Sequence, residues 1–264
     1  MILSFRKRLF LILFLAGFAG VLSFLLVDLA ALIALVPVPL GSQPPVVTPA
    51  LKFLSLIQPA VLLVVAVLTG IVLAPKLGLT APLAESFAAG RPALAPLRRQ
   101  LLPGVVGGFT GGFAILLTAA VIKPFLTAET IRLSANFGKL VPMTTRLLYG
   151  GITEELLMRW GLMTFFAWAV WRLFQRRFER PTRVCFVAAI LLSALIFGLG
   201  HLPVAVTLLG GATVAMVVFV IVANSAFGIV AGYLYWKHGL ESAIIAHMFG
   251  HVVMAVATYF GAYF

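Results

Sequence analysis

Long apolar runs separated by short polar or proline-rich breaks set the pattern of this chain. Taken in order, they predict helical crossings at about 9–35, 50–74, 104–122, 150–171, 184–200, 205–222, 225–236 and 240 to the C-terminus. Most approach the roughly 20 apolar residues that carry a helix through a hydrocarbon core. The first closes at Pro37 and Pro39, the uncharged stretch Gly41–Pro49 reads as a loop, and Pro59 predicts a kink in the second. Only Ala223-Asn224 separates the sixth from the seventh, which predicts a tight hairpin or a broken helix. Gly104, Gly108 and Gly112 recur every fourth residue, and Gly228 and Gly232 repeat the spacing. Such stripes let a second helix approach closely, so they predict packing rather than chemistry. The segment 75–103 reads as a Pro- and Ala-rich surface loop, and 123–146 as a mixed amphipathic loop. The expected fold is all-α, a polytopic helical transmembrane bundle of about eight helices. We read 1–264 as a single integral membrane domain: 1–144 holds the N-terminal helices and a basic loop, and 145–264 the motif-bearing catalytic core.

Composition agrees. The 264 residues are 62% hydrophobic and only 10% charged, with mean hydropathy +1.15, whereas soluble domains carry about 25% charged residues. The net charge of +12 sits in short clusters between apolar runs. That distribution fits anionic lipid headgroups and membrane topology, and excludes nucleic acid as the partner. Arg6-Lys7-Arg8 resembles the start of a signal peptide, but the apolar stretch after it is too long for one and reads as a retained helix. The positive-inside rule then puts the N-terminus in the cytoplasm, with the plasma membrane of a bacterium as the expected location. Lys123, Arg132, Lys139 and Arg146 vote the other way, so the side to which a site would open stays undecided. Cys185 is the only cysteine, which excludes an intramolecular disulfide and any multi-cysteine metal site.

The chemistry concentrates in Gly150–Trp160, where Glu154, Glu155 and Arg159 interrupt an apolar run. Ionisable groups at bilayer depth cost about 2.5–3.5 kcal/mol on insertion scales and mark function. At about 100° per residue, Glu155 and Arg159 (i, i+4) share a helix face with the carboxylate N-terminal, the favoured order, and Glu154 points away from that pair. Glu155 is therefore the expected ion-pair partner and Glu154 the free carboxylate. Of four histidines, His238 reads as interfacial, while His201, His247 and His251 lie within or at the ends of apolar segments. His247 and His251 stack at i, i+4 on one face, a spacing that suits a shared proton or metal. A buried carboxylate with histidines points to water activation and hydrolysis within the membrane. Two-aspartate chemistry is excluded because Asp28 is the only aspartate; no His-Glu-x-x-His and no Gly-x-Ser-x-Gly occurs.

Three motifs run in order: Glu154-Glu155-x-x-x-Arg159, Phe197-x-x-x-His201 and His247-x-x-x-His251. Together, over about 145–255, they resemble the CPBP or Abi family, which includes the type II CAAX prenyl proteases and bacteriocin-processing or self-immunity membrane proteins. The resemblance implies a helical intramembrane endopeptidase acting on a membrane-anchored peptide or protein. Glu154 would activate water, His201, His247 and His251 would assist, and Glu155, Arg159 and Phe197 would support the site. His251 stands where the family has Asn or Asp. An amide there would serve as an oxyanion donor; a histidine could donate or ligate. Zinc held by Glu154, His201, His247 and His251 and a metal-free glutamate mechanism are both compatible with these residues. The alternatives are a non-catalytic self-immunity or scaffold protein of the same fold and, lowest, a solute or proton transporter, for which paired repeat halves are wanting.

Overall fold

The computed structural model describes residues 2–34, 47–208 and 211–261. In chain order the helices are α1 (Ile2–Ser23), α2 (Leu29–Ile33), α3 (Pro49–Leu54), α4 (Ile57–Leu77), α5 (Pro82–Ala88), α6 (Leu94–Ile122), α7 (Ala128–Leu140) and α8 (Met143–Thr145). Two π-helical stretches follow, Arg146–Glu154 and Leu156–Met163, and continue into α9 (Thr164–Phe174). The chain ends with α10 (Arg183–Gly200), α11 (Leu202–Leu208), α12 (Val214–His238) and α13 (Leu240–Tyr259). No strand occurs among the described residues.

Six passages are long and apolar enough to cross a membrane: Ser4–Leu26, Pro49–Leu77, Leu94–Phe125, Arg183–Leu208, Val214–His238 and Leu240–Tyr259. Their outer faces are bare hydrocarbon. Val61, Val65, Leu68 and Val72 of α4, and Leu102, Val106, Phe109, Phe113 and Leu117 of α6, are exposed at steps of three or four residues. Continuous apolar stripes of this kind face lipid, because water would not tolerate them and hydrocarbon does not tolerate anything else. The protein is therefore an all-α, multi-pass membrane bundle.

The inward face of α6 is glycine. A Cβ at Gly104, Gly108 or Gly112 would stand 2.6–2.9 Å from Ile245, Phe249 and Val253, respectively, so the two backbones meet where only glycine fits. The rungs rise together along both chains, so α6 and α13 run parallel. At one end the bundle is latched by side chains that cap backbone. Glu241 Oε1 accepts the N–H groups of Leu83 and Ala84 at 3.0 and 2.9 Å, and Gln100 Oε1 accepts that of Ser242 at 3.1 Å.

The π-helical stretches pack inside the bundle, against α1 and α4. Thr153 Oγ1 donates to the Gly17 carbonyl at 2.7 Å and Thr145 Oγ1 to that of Ser23 at 2.9 Å. Residues 145–153 therefore run antiparallel to α1. Farther along, Trp160 Nε1 donates to the Val67 carbonyl at 3.3 Å.

Four local expectations change. The sixth and seventh crossings are one continuous helix, α12, because Asn224 satisfies itself by donating Nδ2 to the Val220 carbonyl at 2.8 Å; the start of the expected sixth crossing belongs to the short α11. The 75–103 segment contains α5 and the start of α6, which runs through Pro103. The 123–146 segment is mostly helical, with Thr130 and Leu133 of α7 turned inward and exposed Arg132 paired to Glu129. The second crossing breaks at Ser55-Leu56 rather than at Pro59, which lies in the first turn of α4, where a missing N–H costs nothing. Asp28 lies just past the first crossing, is exposed, and caps α2 through Ala31 N–H. Pro37, Pro39 and most of Gly41–Pro49 lie outside the described residues.

Candidate active site

Glu155 is fully buried and holds two partners at once. Its Oε2 stands 3.1 Å from Arg159 Nε, and its Oε1 stands 2.7 Å from His247 Nδ1. The first contact is the i, i+4 pair expected from spacing. The second bridges two helices 92 residues apart in sequence and has no local signal. Arg159 is held further by donation of Nη2 to the Gly228 carbonyl at 3.3 Å, and its guanidinium lies over the Phe197 ring at 4.9 Å. A cation over a ring face, with a carboxylate at its edge, is a favourable way to keep a charge out of water.

Glu154 stands beside this cluster rather than within it. Its Oε2 is 3.9 Å from His247 Nε2, and 21% of its side chain is exposed. The helix is the reason both glutamates reach one imidazole. A π turn holds about 4.4 residues, so adjacent side chains diverge by about 82° rather than 100°. Glu154 stands off the Glu155–Arg159 pair, as the spacing predicts, and faces the far nitrogen of the ring whose near nitrogen Glu155 holds.

The other histidines close round the same ring. His251 stacks on His247 with centroids 5.0 Å apart and planes 19° from parallel. Its Nε2 is buried without a hydrogen-bond partner and packs against Gly150, where a Cβ would stand 2.6 Å away. His201 caps the end of α10, and its Nδ1 lies 2.8 Å from the Phe197 carbonyl. A carbonyl only accepts, so this contact puts the proton on Nδ1 and leaves Nε2 with its lone pair. The Phe197 ring lies edge-on to both His201 (4.7 Å) and His247 (5.9 Å). His238 is exposed and lies outside the cluster, near Lys237.

Two contributors were not singled out for roles in the sequence. Phe227 packs against His247 at 4.6 Å, and Gly228 supplies a carbonyl to Arg159. Their only signal was the glycine stripe on α12. A metal finds no ready cage: among the described residues no three His, Cys, Asp or Glu side chains stand close enough to hold one. The Glu154–His247 separation of 3.9 Å also exceeds the roughly 3.4 Å between adjacent donors on a tetrahedral zinc.

In chemical terms the cluster is a mostly buried carboxylate facing an imidazole whose orientation is fixed by a second carboxylate and an arginine. No curated protein and no solved structure matches the chain. The family model for type II CAAX prenyl endopeptidase, Rce1-like, does match, over residues 136–253. That segment carries the three motifs and every side chain of the cluster, and it is the part of the chain that is similar to this family of membrane peptidases.

Proposed function

We propose that the protein is an intramembrane endopeptidase that cuts a membrane-anchored peptide or protein by a glutamate-based, metal-free mechanism. The observation that carries the proposal is the pair of acceptors formed by Glu154 Oε2 and His247 Nε2, 3.9 Å apart. With His247 Nδ1–H donated to Glu155, Nε2 is left as an acceptor. A water between the two acceptors directs both hydrogens to them and turns its lone pairs outward, toward a substrate carbonyl. Glu154 takes the proton as the oxygen attacks and returns it to the leaving amine. His251, stacked on His247 with its Nε2 packed against Gly150, steadies that ring. His201, tied to the Phe197 carbonyl, lines the approach. In this reading 145–264 is the catalytic core and the N-terminal helices are its scaffold.

The protein lies in a bacterial plasma membrane with the N-terminus cytoplasmic. Anionic headgroups bind at the basic end, where a groove of about 410 Å³ includes Arg99, Gln100, Lys237 and His238.

The test is cleavage of membrane-anchored peptides by purified protein, with Glu154→Gln as the comparison. The expected outcome is complete loss of turnover at unchanged thermal stability, since the amide has the carboxylate's shape and Glu154 is not part of the buried ion pair. Undiminished function in Glu154→Gln would favour the non-catalytic scaffold instead. Exhaustive chelation followed by the same assay should leave turnover unchanged; loss restored by zinc would require a rearranged donor set.

A further inference from the structure

The two ends of the bundle differ in charge and in how they relate to the cluster. Successive long helices alternate in direction, and residues 143–174 run through the bundle beside them, antiparallel to α1. Following the chain through the bundle gathers thirteen of the nineteen Lys and Arg at one end: three in 6–8, four in 76–99, five in 172–183, and Lys237. The opposite end has five, namely Lys52, Lys123, Arg132, Lys139 and Arg146, and it also carries Asp28 and Glu129. By the positive-inside rule the first end is cytoplasmic. The opposing vote of 123–146 is outnumbered, since that end carries five of the Lys and Arg against thirteen at the other.

The cluster is sealed toward the basic end. Leu156, Trp160, Met163 and Tyr235 are each at most 1% exposed and lie between the glutamates and that end. Thr164 and Tyr235 are hydrogen-bonded to each other across this plug at 2.8 Å. Toward the other end the packing loosens: Glu154, Tyr149 and His201 are all half-buried. His201 sits at the last turn of α10, and Tyr149 meets Phe24, beyond the end of α1, at 4.4 Å.

We infer that the site opens on the face opposite the basic loops, away from the cytoplasm. Its substrates are then peptides whose membrane anchor leaves the scissile bond in the outer half of the bilayer or just outside it. The substrate class rests on the proteolytic reading; the direction of opening does not.

Single-cysteine labelling in intact cells tests the direction. Cys185 is fully buried, so the native chain gives a low background. A membrane-impermeant thiol reagent should label Thr207→Cys on α11 and His201→Cys equally before and after permeabilisation, and Arg177→Cys only after. The reverse pattern overturns the inference, as does His201→Cys unlabelled under both conditions while Thr207→Cys reacts. A second arm co-expresses single-span reporters with a cleavable segment on one side or the other. Cutting of the outer reporter by the native chain and not by Glu154→Gln is expected; cutting of the inner one alone overturns the inference. If neither is cut while the labelling pattern stands, the proteolytic reading fails and the direction of opening survives.

Discussion

Glu154 and Glu155 are chemically identical neighbours given different work by their surroundings. Glu155 is locked between Arg159 and His247, so Glu155→Gln strands a buried guanidinium. Losing one partner of a buried pair costs on the order of 3–5 kcal/mol, which corresponds to roughly 5–15 °C in melting temperature for a chain of this size. A melt in detergent should show that drop for Glu155→Gln and none for Glu154→Gln. Equal stability with equal loss of activity in both would mean the division of labour is wrong. Gly150→Ala addresses His251: the added methyl would stand 2.6 Å from Nε2, so the ring must move. His251 stacks on His247, and a shift of about 1 Å passed on to that ring can cost on the order of 100-fold in rate. Turnover should fall by about that much, with substrate affinity little changed. The Glu155–Arg159 pair was legible in the sequence because i, i+4 spacing is a local rule. The Glu155–His247 bond was not, since it depends on two helices meeting.

The stretch 146–163 shows how an element changes what residues can do. Its apolar periodicity announces a helix, but nothing in it announces π-helical turns. Wide turns of this kind recur at functional sites, and here the widening brings two carboxylates to one imidazole. The Asn224 break was misread for the opposite reason: a polar residue in an apolar run suggests a turn unless its side chain can bond its own helix, as this one does. The small-residue face of α12 was legible as packing, though its partner was not. That partner is α10, where a Cβ on Gly198 would stand 2.7 Å from the Ile221 carbonyl. Backbone cannot yield as a side chain can, so Gly198→Ala should destabilise the bundle by about 1–3 kcal/mol. Phe197 should shift with it and weaken its hold on Arg159. A lower melting temperature together with reduced turnover is the expected outcome, and a lower temperature with full turnover would separate α10 from the site.

For the molecule as a whole, hydropathy made the membrane fold plain, because lipid-facing stripes are written directly in the sequence. The clustering of Glu154 with three histidines was legible only through the motif order, since side chains from three distant segments have no common local signal. The latch at the basic end was invisible, because Glu241 looks like an ordinary first-turn acid until Leu83 and Ala84 are seen beside it. The parallel glycine rungs between α6 and α13 have a mechanical consequence. With rungs four residues apart, the next equivalent seating lies about 6 Å along the axis, and any smaller slide drives Ile245 or Val253 into backbone. The pair therefore behaves as an indexed coupling with widely spaced notches, which holds the height of His247 against thermal sliding. Whatever must give way to admit a peptide moves on the α1, α7 and α11 side, while α13 stays in its notch.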